Sequence, residues 1–238
     1  MLVTCILTCE HAGNDIPDQY QRLFKGREEE LYSHKAIDFG ALRLAKHLAS
    51  AMDLSLFYTT YSRLLVEGNR SLESEELFSD FTKSLPEQEK QDILNQYYHP
   101  HRNEVEEKIK AATDKGHQVL HLAIHTFTPA KEGEVREADI GILFDTARSG
   151  EERYAGLLKS ELQKLNPARK VLYNSPYPGV DDGFPTYLRK KFNNDQYAGF
   201  ELEINQKFFL NEEPEVWRQL KTEMTAAVQA ALGEGSDK

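Results

Sequence analysis

Apolar residues gather in short runs along the chain, separated by polar stretches of a different rhythm. The runs are 2–8 (LVTCILT), 54–60 (LSLFYTT), 118–125 (QVLHLAIH), 139–145 (DIGILFD), 170–174 (KVLYN) and 199–205 (GFELEIN). Most are apolar nearly throughout, the pattern of strands covered on both faces. Between them the spacing changes to three and four. Ile37, Ala41, Leu44, Leu48 and Met52 share one helical face, which predicts an amphipathic helix over 35–52. Ser84 and Glu87 have the spacing of a capping box, with Pro86 early in the helix that follows. That long polar helix is expected to run to about Lys115, with Pro100 as its break. Further helices are predicted over 151–165 and 213–232. The stretch 174–198, rich in Gly, Pro, Asn and Asp, reads as a long loop, a type of segment that often carries function.

Strands alternating with helices imply a three-layer α/β sandwich around a mainly parallel sheet. No repeat, linker or low-complexity tract interrupts it, so one domain is expected over 1–232, followed by a frayed tail at 233–238. The 238 residues are 39% apolar, enough for a sizeable core. The formal charge of −10 gives no electrostatic pull toward nucleic acid or anionic membranes, so neither is expected as a partner. A bound anion must then be captured by a local basic site. No apolar run approaches the roughly 20 residues of a membrane span, and the first residues do not have the pattern of a secretory signal. Cys5 and Cys9 fall on one face of the first strand, roughly 13 Å apart. A disulfide needs Cα atoms within about 7 Å. Both thiols are therefore expected to be reduced, in a cytoplasmic protein. Cys9 is read as a small buried hydrophobe rather than a nucleophile.

Open α/β sheets bind ligands at the carboxyl ends of their strands. The first run delivers Glu10, His11 and Asn14, and the helix after it carries Asp38. The second delivers Arg63, with Asn69 and Arg70 beyond. The third delivers His125, the fourth Asp145, and the last holds Glu201 and Glu203. Two histidines from different strand ends, a carboxylate and a nearby glutamate are the parts of a catalytic zinc site. His121 and His125 lie about 13 Å apart in a strand, so at most one serves. His125, at the strand end, is the candidate, and His121 reads as a hydrogen-bonded core residue. His99 and His101 flank Pro100 and either line the pocket or bind backbone. His34, His47 and His117 read as surface residues.

The segments CEHAGNDIP, AIDFGA, SRLLVEGNRS, YYHPHR, AIHTFTP, YNSPYPGVDDGFPTYLR and ELEINQ occur in this order from residue 9 to residue 206. Together they resemble the N-formylglutamate amidohydrolase family, itself similar to zinc carboxypeptidases and aspartoacylases. The resemblance implies a mixed eight-stranded sheet between helices and hydrolysis of an amide next to a free carboxylate. It implies that Asn69 and Arg70 grip the substrate carboxylate, that Arg63 polarises the scissile carbonyl, and that Glu203 is the general base. Arginine suits the first task because its planar fork meets a carboxylate in a bidentate manner. One departure stands out. The His-x-x-Glu of zinc carboxypeptidases becomes His11-x-x-Asn14, and a neutral amide is a poor zinc ligand. Asp38 is the first choice for the third ligand and Glu10 the second. The expected substrate is N-formyl-L-glutamate or a related N-acyl acidic amino acid. A deacylase or carboxypeptidase of the same chemistry, or a metal-free carboxylate-binding protein, is the alternative.

Overall fold

The computed structural model describes residues 2–210 and 214–236. In chain order its elements are β1 (Val3–Cys9), α1 (Glu28–Leu31), α2 (Ala41–Met52), β2 (Ser55–Tyr58), α3 (Glu87–Ile93), α4 (His99–Thr113), β3 (Gln118–Phe127), β4 (Ala130–Lys131), β5 (Glu134–Val135), β6 (Ile140–Leu143), α5 (Ser149–Leu165), β7 (Val171–Tyr173), α6 (Phe184–Lys191), β8 (Tyr197–Asn205), α7 (Lys207–Leu210) and α8 (Pro214–Ser236). Six strands form one sheet in the order β2-β1-β3-β8-β6-β7, and β4 pairs with β5 in a separate ribbon. Neighbours in the sheet are parallel except β8 and β6, which are antiparallel. The sheet is thus mixed and mainly parallel, with six strands among the described residues where the resemblance implied eight.

The period-2 alternation of the strands divides the molecule into layers. Leu7 of β1, Leu120, Leu122 and Ile124 of β3, and Phe200, Leu202 and Ile204 of β8 pack in one core with residues of α2, α5 and α8. The opposite parity, Ile6, Val119 and Tyr197, packs with Val105 and Ile109 of α4 and Phe184 and Leu188 of α6. On this second face the strands turn from apolar to polar along their length. After Val119 come His121 and His125, and after Tyr197 come Glu201 and Glu203. The face that begins as core therefore ends as a site. Cys5 and Cys9 are both free and buried, on the first face. No helix among the described residues is long and apolar enough to cross a membrane.

Several boundaries depart from the sequence pattern for local physical reasons. The helix expected from 35 begins at Ala41. Asp38 instead donates its backbone N–H to the His11 carbonyl at 3.1 Å, and Gly40 has φ +86° with its α-hydrogen side against Phe209. A Cβ there would sit 2.3 Å from that ring, so the chain turns where the periodicity would have carried the helix on. Ser84 makes no cap, because Pro86 occupies the N-cap position of α3. The polar helix does not break at Pro100. A π-helical stretch, Leu94–Tyr98, absorbs the change just before α4, whose first turn holds the proline. The stretch 174–198 is not all loop, since α6 lies within it with Pro185 in its first turn. The last helix continues to Ser236. Residues 213, 237 and 238, included in the expected last helix and tail, lie outside the described residues.

Candidate active site

Three strand ends and one turn converge on a cavity of about 680 Å³. His11 follows β1 directly. His125 lies near the end of β3, in register with Glu203 of β8. Asp38 reaches them from the turn ahead of α2. Nδ1 of His11 and Nδ1 of His125 both point at Asp38 Oδ2, at 3.2 and 3.0 Å. The backbone N–H of Thr126 donates to the same oxygen at 3.3 Å. One donor atom from each of these three buried residues lies within 4.8 Å of the other two.

Behind each imidazole stands a second carboxylate. Nε2 of His11 hydrogen-bonds Glu67 Oε1. Nε2 of His125 lies 3.1 Å from Glu10 Oε2, an ion-pair distance without hydrogen-bond alignment. The other oxygen of Glu10 meets His101 Nε2 at 3.2 Å. Carboxylates placed behind imidazoles fix the ring orientation and leave the opposite nitrogen for a ligand. Glu67 is also gripped by Arg63 through Nε and Nη2, both at 2.5 Å from Oε2. Arg63 Nη1 lies 3.7 Å from Asp38 Oδ1.

The electrostatics follow from this crowding. Burial works to raise Asp38, but the two histidines outweigh it and hold its carboxyl well below the usual range. Burial likewise opposes ionisation of Glu67, and Arg63 and His11 reverse the effect. For Glu203 the balance falls the other way. Burial raises it to about 8; nearby His125 acts to lower it, and Asp38 and Glu201 add to the rise. Its Oε2 is buried and has no hydrogen-bond partner among the described residues. Five carboxylates (Glu10, Asp38, Glu67, Glu201 and Glu203) thus stand around three imidazoles (His11, His101 and His125) and the Arg63 guanidinium. An orphaned carboxylate oxygen beside two imidazoles and an acid fits a bound dication. The mixed nitrogen and oxygen donors suit zinc better than magnesium or calcium, which favour oxygen alone.

The remaining sequence candidates fall into place around this cluster. Asn14 donates its amide to the Leu31 carbonyl at 2.7 Å, so it secures a loop rather than facing His11. Asn69 is buried at the cavity wall. Its Nδ2 donates to Glu201 Oε1 at 2.7 Å, and its Oδ1 accepts from the Phe184 N–H, tying β8 to the start of α6. Arg70 lines the cavity with Nε on Glu76 and Nη1 on the Asp182 carbonyl. Neither His99 nor His101 lines it. His99 stacks edge-on against Tyr98, and His101 backs Glu10. Asp145 caps the Ala147 N–H away from the cluster. His121 is fully buried between Thr8 Oγ1 at 2.8 Å and the Tyr197 hydroxyl at 2.7 Å. Of the other histidines, His34 is exposed at the cavity mouth. His47 and His117 are half-buried, each against a threonine.

Two residues escaped the sequence reading. One is Glu67, the single acid in SRLLVEGNRS, whose apolar neighbours Leu65 and Val66 are core residues. An acid in an apolar run beside two arginines was the available signal. The other is Arg102, buried against Tyr98, Phe184 and Tyr187. Its Nη1 donates to the carbonyls of Gly68 and Arg70, at 3.0 and 3.3 Å, and so holds the backbone that carries Asn69 and Arg70.

The fold and site define an α/β protein with a His–Asp–His cluster at the carboxyl ends of its parallel strands. The chain belongs to the N-formylglutamate amidohydrolase family, whose profile matches residues 3–210, and so to a family of hydrolases. Among solved structures, a gene product of Agrobacterium tumefaciens is similar at 29% identity and TM-score 0.79, over 94% of this chain and 90% of that one. An N-formylglutamate amidohydrolase from Ralstonia eutropha shares the fold at 17% identity and TM-score 0.71, over 98% and 95%. The CwlD amidase from Clostridioides difficile, in complex with the GerS lipoprotein, shares it more distantly, at 12% identity and TM-score 0.50 over 97% and 99%. No curated protein matches the sequence.

Proposed function

We propose that the protein is a zinc-dependent amidohydrolase that cleaves N-formyl-L-glutamate or a related N-acyl acidic amino acid. The observation that carries this reading is the His11–Asp38–His125 cluster beside the buried, unpartnered oxygen of Glu203, in a cavity that also holds Arg63 and Arg70. Family membership supports the amide chemistry. His11, Asp38 and His125 would hold the ion, which when bound supplies Lewis acidity and a water acidified toward neutral pH.

The chain's own groups do the rest. Glu203 takes a proton from the attacking water and returns it to the leaving amine. Arg63, fixed by Glu67, faces the carbonyl oxygen, where negative charge develops during attack. Arg70 holds the substrate carboxylate, assisted by the Nδ2 hydrogen of Asn69 that does not reach Glu201. Glu10 and Glu67 keep the two imidazoles aimed inward.

The test is a screen of N-formyl, N-acetyl and N-succinyl amino acids for amine release, with metal quantified in protein purified without chelator. The expected result is bound zinc and fastest release from an N-formyl acidic amino acid. Tight binding of acidic amino acids with no metal and no amine release would instead identify a carboxylate-binding protein.

A further inference from the structure

The cations of the cavity are not equivalent. Arg63 is paired with buried Glu67, and Arg70 with Glu76, a solvent-exposed partner that a ligand carboxylate can replace. Arg189 is anchored by Glu151 and three further acceptors. Lys83 pairs with Asp80. Lys35 and Lys131 also line the cavity without a carboxylate partner among the described residues, but both are exposed; Arg136 likewise has no carboxylate partner there, yet it is half-buried. It is also held in place. Its Nη2 donates to the Tyr177 hydroxyl at 3.0 Å, and its guanidinium lies 5.5 Å from the Phe127 ring centre and 5.2 Å from that of Tyr177. Its backbone N–H donates to the Pro129 carbonyl. Phe127 ends β3 two residues beyond His125, roughly 7 Å along the strand. Arg136, Phe127 and Tyr177 all line the same cavity as the His–Asp–His cluster.

An ordered guanidinium without an acid is an anion receptor with its site open. The cavity floor around it is rich in carboxylates, so the anion it receives must come from the substrate. A substrate with one carboxylate needs one arginine, and Arg70 is already assigned to it. We infer that Arg136 is a specificity-determining residue that receives the side-chain carboxylate of an N-acyl dicarboxylic amino acid, making the cavity selective for a substrate with two negative charges. The inference rests on the reading of the site as an N-acyl amino acid hydrolase.

The test compares binding of N-formyl-L-glutamate with that of N-formyl-L-glutamine, by calorimetry, with amine release measured alongside. The two ligands differ at the side-chain terminus alone. Wild-type protein is expected to prefer the glutamate form by roughly tenfold or more, the scale of a charge-assisted contact. Arg136→Met keeps an apolar stem against Phe127 and Tyr177 and removes the charge. It is expected to abolish that preference, because it weakens the glutamate form far more than the glutamine form. A preference that survives in Arg136→Met, or wild-type protein that binds both forms equally, overturns the assignment. If Arg136→Met erases the preference but neither protein releases amine, the assignment stands and the hydrolase reading fails. If amine is released with a preference that Arg136→Met leaves intact, the hydrolase reading stands and the assignment to Arg136 fails.

Discussion

His121 and His125 occupy the same face of the same strand, four residues apart, and live in opposite electrostatic worlds. Around His121 the partners are hydroxyls, from Thr8 and Tyr197. Burial dominates there and pushes the imidazole down to about 4, so the ring stays neutral and structural. Burial also acts to lower His125, but Asp38 and Glu10 outweigh it and drive its pKa well above the usual value. What separates a core histidine from a candidate ligand is therefore not exposure, since both are buried. It is the charge of the groups that the neighbouring loops bring to the strand end. The comparison also shows why the polar residues of β3 and β8 thicken toward their ends: Val119 and Tyr197 pack under α4 and α6, whereas His125 and Glu203 meet the open cavity.

The comparison is broken most severely by exchanging the two histidines' fates. His125→Ala is expected to lose bound metal and amine release altogether, as is His11→Ala, whereas His121→Leu keeps its metal. Metal analysis of the three purified variants checks this.

Next in size is the base. Glu203→Gln is nearly isosteric, so zinc content and substrate affinity should hold while kcat falls by roughly 10² or more. Steady-state kinetics with metal quantification separates this from loss of the ion. The arginines divide the kinetic parameters further. Arg63→Lys loses the fork aimed at charge that develops during attack, and kcat should drop by about 10²-fold with little change in KM. Arg70→Lys weakens a contact present throughout the reaction, so KM should rise more than kcat falls.

The carboxylates behind the rings sharpen the contrast. Glu10→Gln and Glu67→Gln keep size and remove charge. Each is expected to weaken metal binding by about 10–100-fold, read by competition with a chelator of known affinity.

The smallest effect belongs to the core histidine, and it is one of stability. His121→Leu strands the Thr8 and Tyr197 hydroxyls and should cost about 1–3 kcal/mol in denaturant unfolding. Wild-type stability should also depend on pH through this ring. Its folded pKa, about 4, lies below the usual 6.5, so the unfolded chain binds the extra proton first. The ring's contribution is complete above about pH 6.5 and is lost as pH falls toward 4, by about 3 kcal/mol. In His121→Leu that part of the acid slope should vanish.

Much of this was legible before the structure. Strand ends delivered His11, His125 and the pair Glu201 and Glu203, and the distance along β3 separated His121 from His125, which stands at the strand end. Asp38 was legible as a residue but not as a geometry. The helical periodicity ran straight through it, and only the close approach of Gly40 to Phe209 explains why the chain turns there. Asn69 and His101 show a different limit. Both are polar and near strand or helix ends, yet one spends its amide on Glu201 and Phe184, and the other stands behind Glu10. The direction of a side-chain hydrogen bond is set by tertiary neighbours, which residue spacing does not encode. Within the stretch 174–198, α6 was hidden because Gly183 and Pro185, which read as loop residues, are the ones that start it.

The central claim, that His11, Asp38 and His125 form the metal centre of an amidohydrolase, is tested most directly by reconstitution. Protein stripped with chelator is titrated with zinc while amine release from N-formyl-L-glutamate is followed. The account predicts that stripped wild-type protein is inactive, that activity returns and saturates at one zinc per chain, that His121→Leu behaves likewise, and that His125→Ala neither binds zinc nor recovers. Full activity in the stripped protein, or zinc-restored activity in His125→Ala, would contradict it.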